Sequence, residues 1–167
     1  MTTVNAVNTY IVPTVTREVT MPLQPAFLAT AANAANVVGS IGVSYQYGTA
    51  AMTEIFDQNA DFNVNGTFTS PVTGQYVLIG AGYLEGCTIN SACTIRLITS
   101  NRSYQNVTIR GASALDSAAI CTVLADMDLG DTATCSIMGN GEAADTDDLI
   151  TASGGHNVSY FSGFLAC

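Results

Sequence analysis

Between residues 54 and 79, EIFDQNADFNVNGTFTSPVTGQYVLI, apolar and polar positions alternate with a period of two. Phe62, Val64, Phe68 and, past an interruption, Tyr76 and Leu78 fall on one side, and Asn63, Asn65, Thr67 and Thr69 on the other. That period belongs to β-strands with one face buried and one face wet. Asn65-Gly66 is a turn signal, because Asn tolerates a positive φ and Gly adopts it at no steric cost. Pro71, which cannot donate to a ladder, and Gly74 mark a corner leading into a second, central strand.

Short segments of the same kind fill the chain from Pro25 onward. PAFLAT, SYQY, MTEIFDQ, DFNVNGTFT, GQYVLIGAGYLEG, CTIRLITSN, SYQNVTIRGAS, AAICTVLADM, TATCSIMGN and NVSYFSGFLAC are separated by Gly, Asn, Asp or Pro. This spacing predicts an all-β sandwich or barrel of about ten strands. The stretch AFLATAANAANVV has Ala enough for a helix but no wide apolar stripe, so a strand followed by a small-residue loop is expected there.

Residues 1–24 differ. They hold one short apolar run, Tyr10 to Val12, then Pro13 and Pro22 with polar Thr and Asn between. That is too little apolar surface for a core, so an extended arm that orders only against a partner is expected. Its anchoring candidates are Tyr10, Ile11, Val12, Pro13, Arg17, Met21 and Pro22. Residues 25–167 form the single folded module.

Charge narrows the range of partners. The chain has 4 basic residues, all Arg, against 13 acidic ones, for a formal charge of -9. Nucleic-acid binding by phosphate neutralisation needs clustered Lys or Arg and is not expected. No apolar run of about 18 residues is present, so no membrane partner is expected either. The start MTTVNAVNTYIV lacks the basic opening and compact apolar core of a secretion signal, which predicts synthesis in a cytoplasm. With 48% apolar residues and only 10% charged, some apolar surface is expected to be buried between chains.

Candidate chemistry is sparse. Cys87, Cys93, Cys121, Cys135 and Cys167 cannot all pair within one chain, and no CxxC or His spacing accompanies them. Small buried hydrophobes are the expectation for them. The single histidine, His156, lies in SGGHN without a GxSxG nucleophile elbow anywhere, so it reads as a polar turn residue. GNGEAA, residues 139–144, runs into DTDDL and not into a helix, which removes a dinucleotide meaning. Asp145, Asp147 and Asp148, with Glu142, are weak candidates for oxygen ligands, but their spacing is not that of an EF-hand, so a solvated acidic loop is expected. The four glycosylation sequons, at Asn65, Asn101, Asn106 and Asn157, carry no weight without a secretory route. Neither an enzyme nor a cofactor site is expected.

The block from Phe56-Asp57 through Asn59, Phe62, Asn65-Gly66, Phe68, Pro71, Gly74 and Tyr76 resembles the globular head of complement-q proteins, of the tumour necrosis factor-like jelly rolls. Ala26-Phe27, Leu129-Gly130-Asp131 and the terminal Phe161-Ser162-Gly163-Phe164-Leu165 resemble the opening strand, a late turn and the closing strand of that family. The resemblance implies an antiparallel jelly-roll β-sandwich that forms homotrimers. Some relatives bind calcium near the trimer axis. In such a trimer Tyr45, Tyr47, Tyr83, Tyr104, Tyr160 and Phe161 are the candidate interface residues, since a tyrosine ring is apolar while its hydroxyl still finds a partner.

No Gly-X-Y run or coiled-coil heptad occurs in these residues. The arm YIVPTVTREVTMPLQPAFLA in front of this module, in a Lys-free chain rich in Thr, Ala and Gly, looks like small structural proteins of tailed bacteriophages. That likeness implies a virion structural protein, a trimeric cement or decoration protein on the capsid exterior with the major capsid protein as partner. The alternative is a receptor-binding tip of a tail fibre or spike that binds host glycan or protein through its loops.

Overall fold

A computed structural model describes residues 23–87, 92–109 and 116–166. These residues are all-β, and apart from one small two-stranded hairpin the strands divide between two sheets packed face to face. The first five elements are β1 (Ala26–Thr30), β2 (Ala34–Ser40), β3 (Tyr45–Gln46), β4 (Thr53–Asp57) and β5 (Phe62–Asn63). They are followed by β6 (Thr67–Thr69), β7 (Gly74–Glu85), β8 (Ala92–Thr99), β9 (Ser103–Ile109) and β10 (Asp116–Met127). The last five are β11 (Thr132–Glu142), β12 (Asp147–Leu149), β13 (Ala152–Ser153), β14 (His156–Asn157) and β15 (Tyr160–Ala166).

The front sheet runs β4-β1-β15-β7-β10, antiparallel throughout. The back sheet runs β5-β6-β11-β8-β9, with β3 continuing the line of β6 along β11. At one end β2 pairs with both β12 and β11 and so ties the sheets together. The β2–β11 pairing is parallel, which departs from the wholly antiparallel expectation. The ten strands expected become fifteen among the described residues, because bends and short bridges split several segments.

The core between the sheets starts from the alternation that the sequence displays. Phe62 and Phe68 are directly opposed, and Phe27 stacks on both with ring centroids 4.8 Å apart in each case. Phe161 meets Phe27 edge-on at 4.9 Å. Tyr76 and Leu78 are fully buried behind them. Val64, expected on the buried side, is instead 43% exposed. DFNVNGTFT is a hairpin and not one strand, and Val64 sits in its turn, where the period of two no longer applies. The turn is closed by Gly66 N–H to the Asn63 carbonyl at 2.8 Å, and the Asn65 Oδ1 accepts from Thr67 N–H at 3.1 Å.

Pro71 and Gly74 form a corner between sheets, since β6 lies in the back sheet and β7 in the front. Ser70 N–H donates to the Asp131 carbonyl and Gly130 N–H to the Ser70 carbonyl, so this corner is bonded to the Leu129-Gly130-Asp131 turn. The expected small-residue loop after Thr30 is in fact strand β2. Its period is hidden by Asn36 and Gly39, both at positive φ, and its partners lie roughly a hundred residues away.

Candidate interaction face of the front sheet

In the front sheet, successive side chains alternate between the core and the outer face. On β7 the inward set is Tyr76, Leu78, Gly80, Gly82 and Leu84, which leaves Val77, Ile79, Ala81 and Tyr83 pointing outward. The register with neighbouring strands assembles rows on that outer face. Phe164, Val77 and Leu124 form one row. Phe56, Leu28, Ser162, Ile79 and Thr122 form the next, and Tyr160, Ala81 and Ile120 the third. The face carries no charged side chain in these rows, and carboxylates stand at its two ends, Glu85 beside Asp116 at one and Asp126 at the other.

Exposure makes the face unusual for a surface. Ile120 is 49% exposed, Leu124 55%, Phe56 48% and Phe164 43%, all on one sheet. Contiguous apolar surface of this kind is characteristic of interaction sites. A shallow trough of about 330 Å³ at one side of this face is lined by Ala81, Tyr83, Ala118, Ile120 and Tyr160, with Asn106 and Thr108 of β9 adding polar groups.

The six aromatic interface candidates part company. Tyr83 and Tyr160 lie on this face, half-buried, on either side of the trough. The Tyr83 hydroxyl donates to Asp116 Oδ2 at 2.8 Å, and that carboxylate, more than burial, raises the phenol above its ordinary pKa. Tyr45 and Tyr104 belong to the back sheet, where they pack half-buried against the core. Tyr47 and Phe161 are wholly buried within the subunit, so they have no surface to offer a partner and are core residues. Sequence reasoning missed Phe56, Ile120, Leu124 and Phe164. The available signal was the largely apolar character of both strand parities in AAICTVLAD and FSGFLA, a pattern typical of strands covered on both faces.

The acidic residues do not converge on a common point. Asp145 Oδ1 accepts from Ser40 N–H at 2.9 Å and Asp148 Oδ1 from Asn36 N–H at 2.7 Å, so both fasten β2. Asp147 is fully buried, against the backbone of Gly139. Among the described residues no group of three or more His, Cys, Asp or Glu is placed to hold a metal. His156 is exposed in the small β13–β14 hairpin. Cys93, Cys121 and Cys135 are buried free thiols, and Cys87 is buried as well. Burial pushes Cys93 up to about 12 and Cys135 further still, which keeps both as inert thiols. The arm candidates Tyr10, Ile11, Val12, Pro13, Arg17, Met21 and Pro22 lie outside the described residues.

No family model and no curated protein matches this chain. Solved structures do. The globular domain of zebrafish complement 1qA protein superposes with a TM-score of 0.56 at 18% identity, over 86% of this chain and 98% of that one. Murine APRIL at pH 5.0 gives a TM-score of 0.57 at 9% identity, over 86% and 99%. The chain has a complement-q/tumour necrosis factor-like jelly-roll fold. At these identities the likeness is one of fold, and it carries no site residue across.

Proposed function

We propose that this protein is a non-enzymatic virion structural protein of a tailed bacteriophage. It would act as a trimeric cement or decoration protein that sits on the capsid exterior and clamps capsid subunits through residues 1–24. The observation that carries the reading is the uncharged outer face of the front sheet, with Ile120, Leu124, Phe56 and Phe164 each more than two-fifths exposed. Three copies arranged around an axis beside β7 and β10 would bury that face between them. A closed ring of this kind uses two different patches on each copy, which suits a face bordered by strand edges.

Polarity along the module supports the anchoring role of the arm. Gln24 Nε2 donates to the Leu165 carbonyl at 2.5 Å, and Leu165 N–H to the Pro25 carbonyl at 3.0 Å. The arm therefore leaves beside the Phe164 end of the apolar face, and in a trimer three arms would leave from the same end. They would point at one surface, as a clamp requires.

The experiment is the copy number per purified particle, by quantitative mass spectrometry against the major capsid protein. A ratio of one trimer per local threefold position is expected. A few to a few dozen copies would replace this reading by a receptor-binding fibre or spike tip, and absence from particles would overturn the virion assignment. A protein lacking residues 2–24 should remain a folded oligomer that no longer associates with particles.

A further inference from the structure

On the outer face of the back sheet, one row of polar side chains crosses four strands. Gln46 on β3 is paired with Ser136 on β11, Ser136 with Arg96 on β8, and Arg96 with Gln105 on β9. The chain neighbours Cys135, Ile137, Ile95 and Leu97 are fully buried in the core, so by alternation Ser136 and Arg96 point away from it. The rows on either side, Thr134, Ile98 and Ser103 on one and Met138, Thr94 and Val107 on the other, carry no charge. Arg96 is thus the one charged side chain on three adjacent rows, in a chain with 13 acidic residues.

Two features of this row have no role in folding. The Arg96 guanidinium meets no carboxylate among the described residues and donates to Gln105 Oε1 at 3.4 Å, a long contact with a neutral group. Ser136 is 2% exposed, and its hydroxyl has no hydrogen-bond partner among them. A buried hydroxyl without a partner is destabilising, and alanine would fill the same place without that penalty. The hydroxyl is covered because a small side chain stands between two long ones, Gln46 and Arg96, which are themselves half-buried. Both have flexible stems, so a ligand that draws the guanidinium aside uncovers the hydroxyl beside it.

We infer that Arg96 and Ser136 form a binding site for a carboxylate carried on a neutral, hydroxyl-bearing body, the chemistry of a sugar acid. A guanidinium donates two parallel N–H groups to a carboxylate, and the Ser136 hydroxyl donates to one of the same oxygens. One guanidinium balances one negative charge, which suits a carboxylate better than a phosphate dianion. The amides of Gln46 and Gln105 and the hydroxyls of Thr134 and Ser103 offer partners to the hydroxyls of the body. The charge of -9 repels anions at a distance, but salt screens it beyond ~8 Å, and these three rows hold no carboxylate. The site lies on the sheet opposite the apolar face and does not rest on the virion reading.

The arginines themselves report on it. Isotope labelling of arginine in the full chain gives four Nε–Hε resonances, one per arginine, and Arg96→Gln identifies the one at the site. Titration with glucuronate at constant ionic strength is expected to move the Arg96 signal to saturation and leave the other three in place, while glucose moves none. No shift, or four equal shifts, would overturn the inference, as would inorganic phosphate that binds as tightly as glucuronate. Ser136→Ala should melt no lower than the wild type and bind glucuronate about tenfold more weakly, since a hydrogen bond to a charged group is lost. Unchanged affinity in that variant would remove Ser136 from the site and overturn the arrangement. A glucuronate-ended oligosaccharide that binds more tightly than the free acid would name a glycan as the source, and equal binding would name the free acid; both results keep the site.

Discussion

The Tyr47 hydroxyl donates to the carbonyl of Ala81 at 2.8 Å, wholly inside the protein. Tyr47 follows β3 in the back sheet and Ala81 is in the middle of β7 in the front sheet, so this bond joins the two layers through the core. Burial holds the phenol well above its ordinary pKa, so the hydroxyl keeps its proton at neutral pH. Tyr47→Phe leaves the site filled but deprives the Ala81 carbonyl of this donor. A loss of about 1 kcal/mol in urea unfolding is expected, with an unchanged fold by circular dichroism. A loss below a few tenths would mean that the bond contributes nothing net.

Room for that ring comes from Gly82. A Cβ there would stand 2.5 Å from Ile137 Cδ1, 2.6 Å from the Tyr47 hydroxyl and 2.7 Å from Ile95 Cδ1. Gly82→Ala is therefore overpacked and should cost about 1–3 kcal/mol. Gly66 is tighter, since its Cβ would fall 2.0 Å from the Tyr47 carbonyl oxygen and its φ is +85°. Main chain cannot step aside as a side-chain end can, so Gly66→Ala should lower the urea midpoint more than Gly82→Ala. The reverse order would show that the Asn65-Gly66 turn is pliable.

Self-association through the front sheet has a direct test. Ile120→Asp/Leu124→Asp places two carboxylates in the apolar rows, at positions already half in water within the subunit. The subunit should keep its fold and lose its oligomeric state, as read by light scattering coupled to size exclusion. An unchanged oligomer would move the interface off this face.

Asp61 offers a pH signature. Burial, and then the neighbouring Asp57 charge, raise its pKa above the ordinary carboxylate value, while Asn59 pulls it down. The folded state thus holds the proton more tightly than the unfolded one. The stability contributed by this group rises as pH falls through the raised folded pKa, and levels off below the unfolded value of about 3.9. Asp61→Asn should melt above the wild type at neutral pH, and the difference should vanish in acid. A difference that grows on acidification would reverse the assignment.

The thiols give a fifth expectation. Cys87, Cys93, Cys121 and Cys135 are all buried, and burial raises Cys93, Cys121 and Cys135. Peptide mapping after alkylation of the native protein should find these four unmodified, and all four modified after unfolding in denaturant. Native labelling of Cys135 would show that the sheets open around Gly80, whose added Cβ would stand 2.6 Å from the Cys135 Sγ.

What the sequence by itself determined are the features set by local geometry. The period of two predicts strands and places Phe62, Phe68, Tyr76 and Leu78 inside, where they are found. Asn65-Gly66 makes its turn and Pro71 its corner, because φ preferences and missing donors act within a few residues. Tertiary structure decided the rest. Strand β2 exists only through partners on β11 and β12, distant in sequence. Alternation names two sides of a strand without saying which faces the core, so Tyr47 and Phe161 read like Tyr83 and Tyr160 until the sheets are stacked. Asp145, Asp147 and Asp148 are near neighbours in the chain, yet two fasten β2 and one is buried, because strand pairing sends adjacent side chains to different places. The apolar outer face is a property of register across five strands, and no single segment carries it.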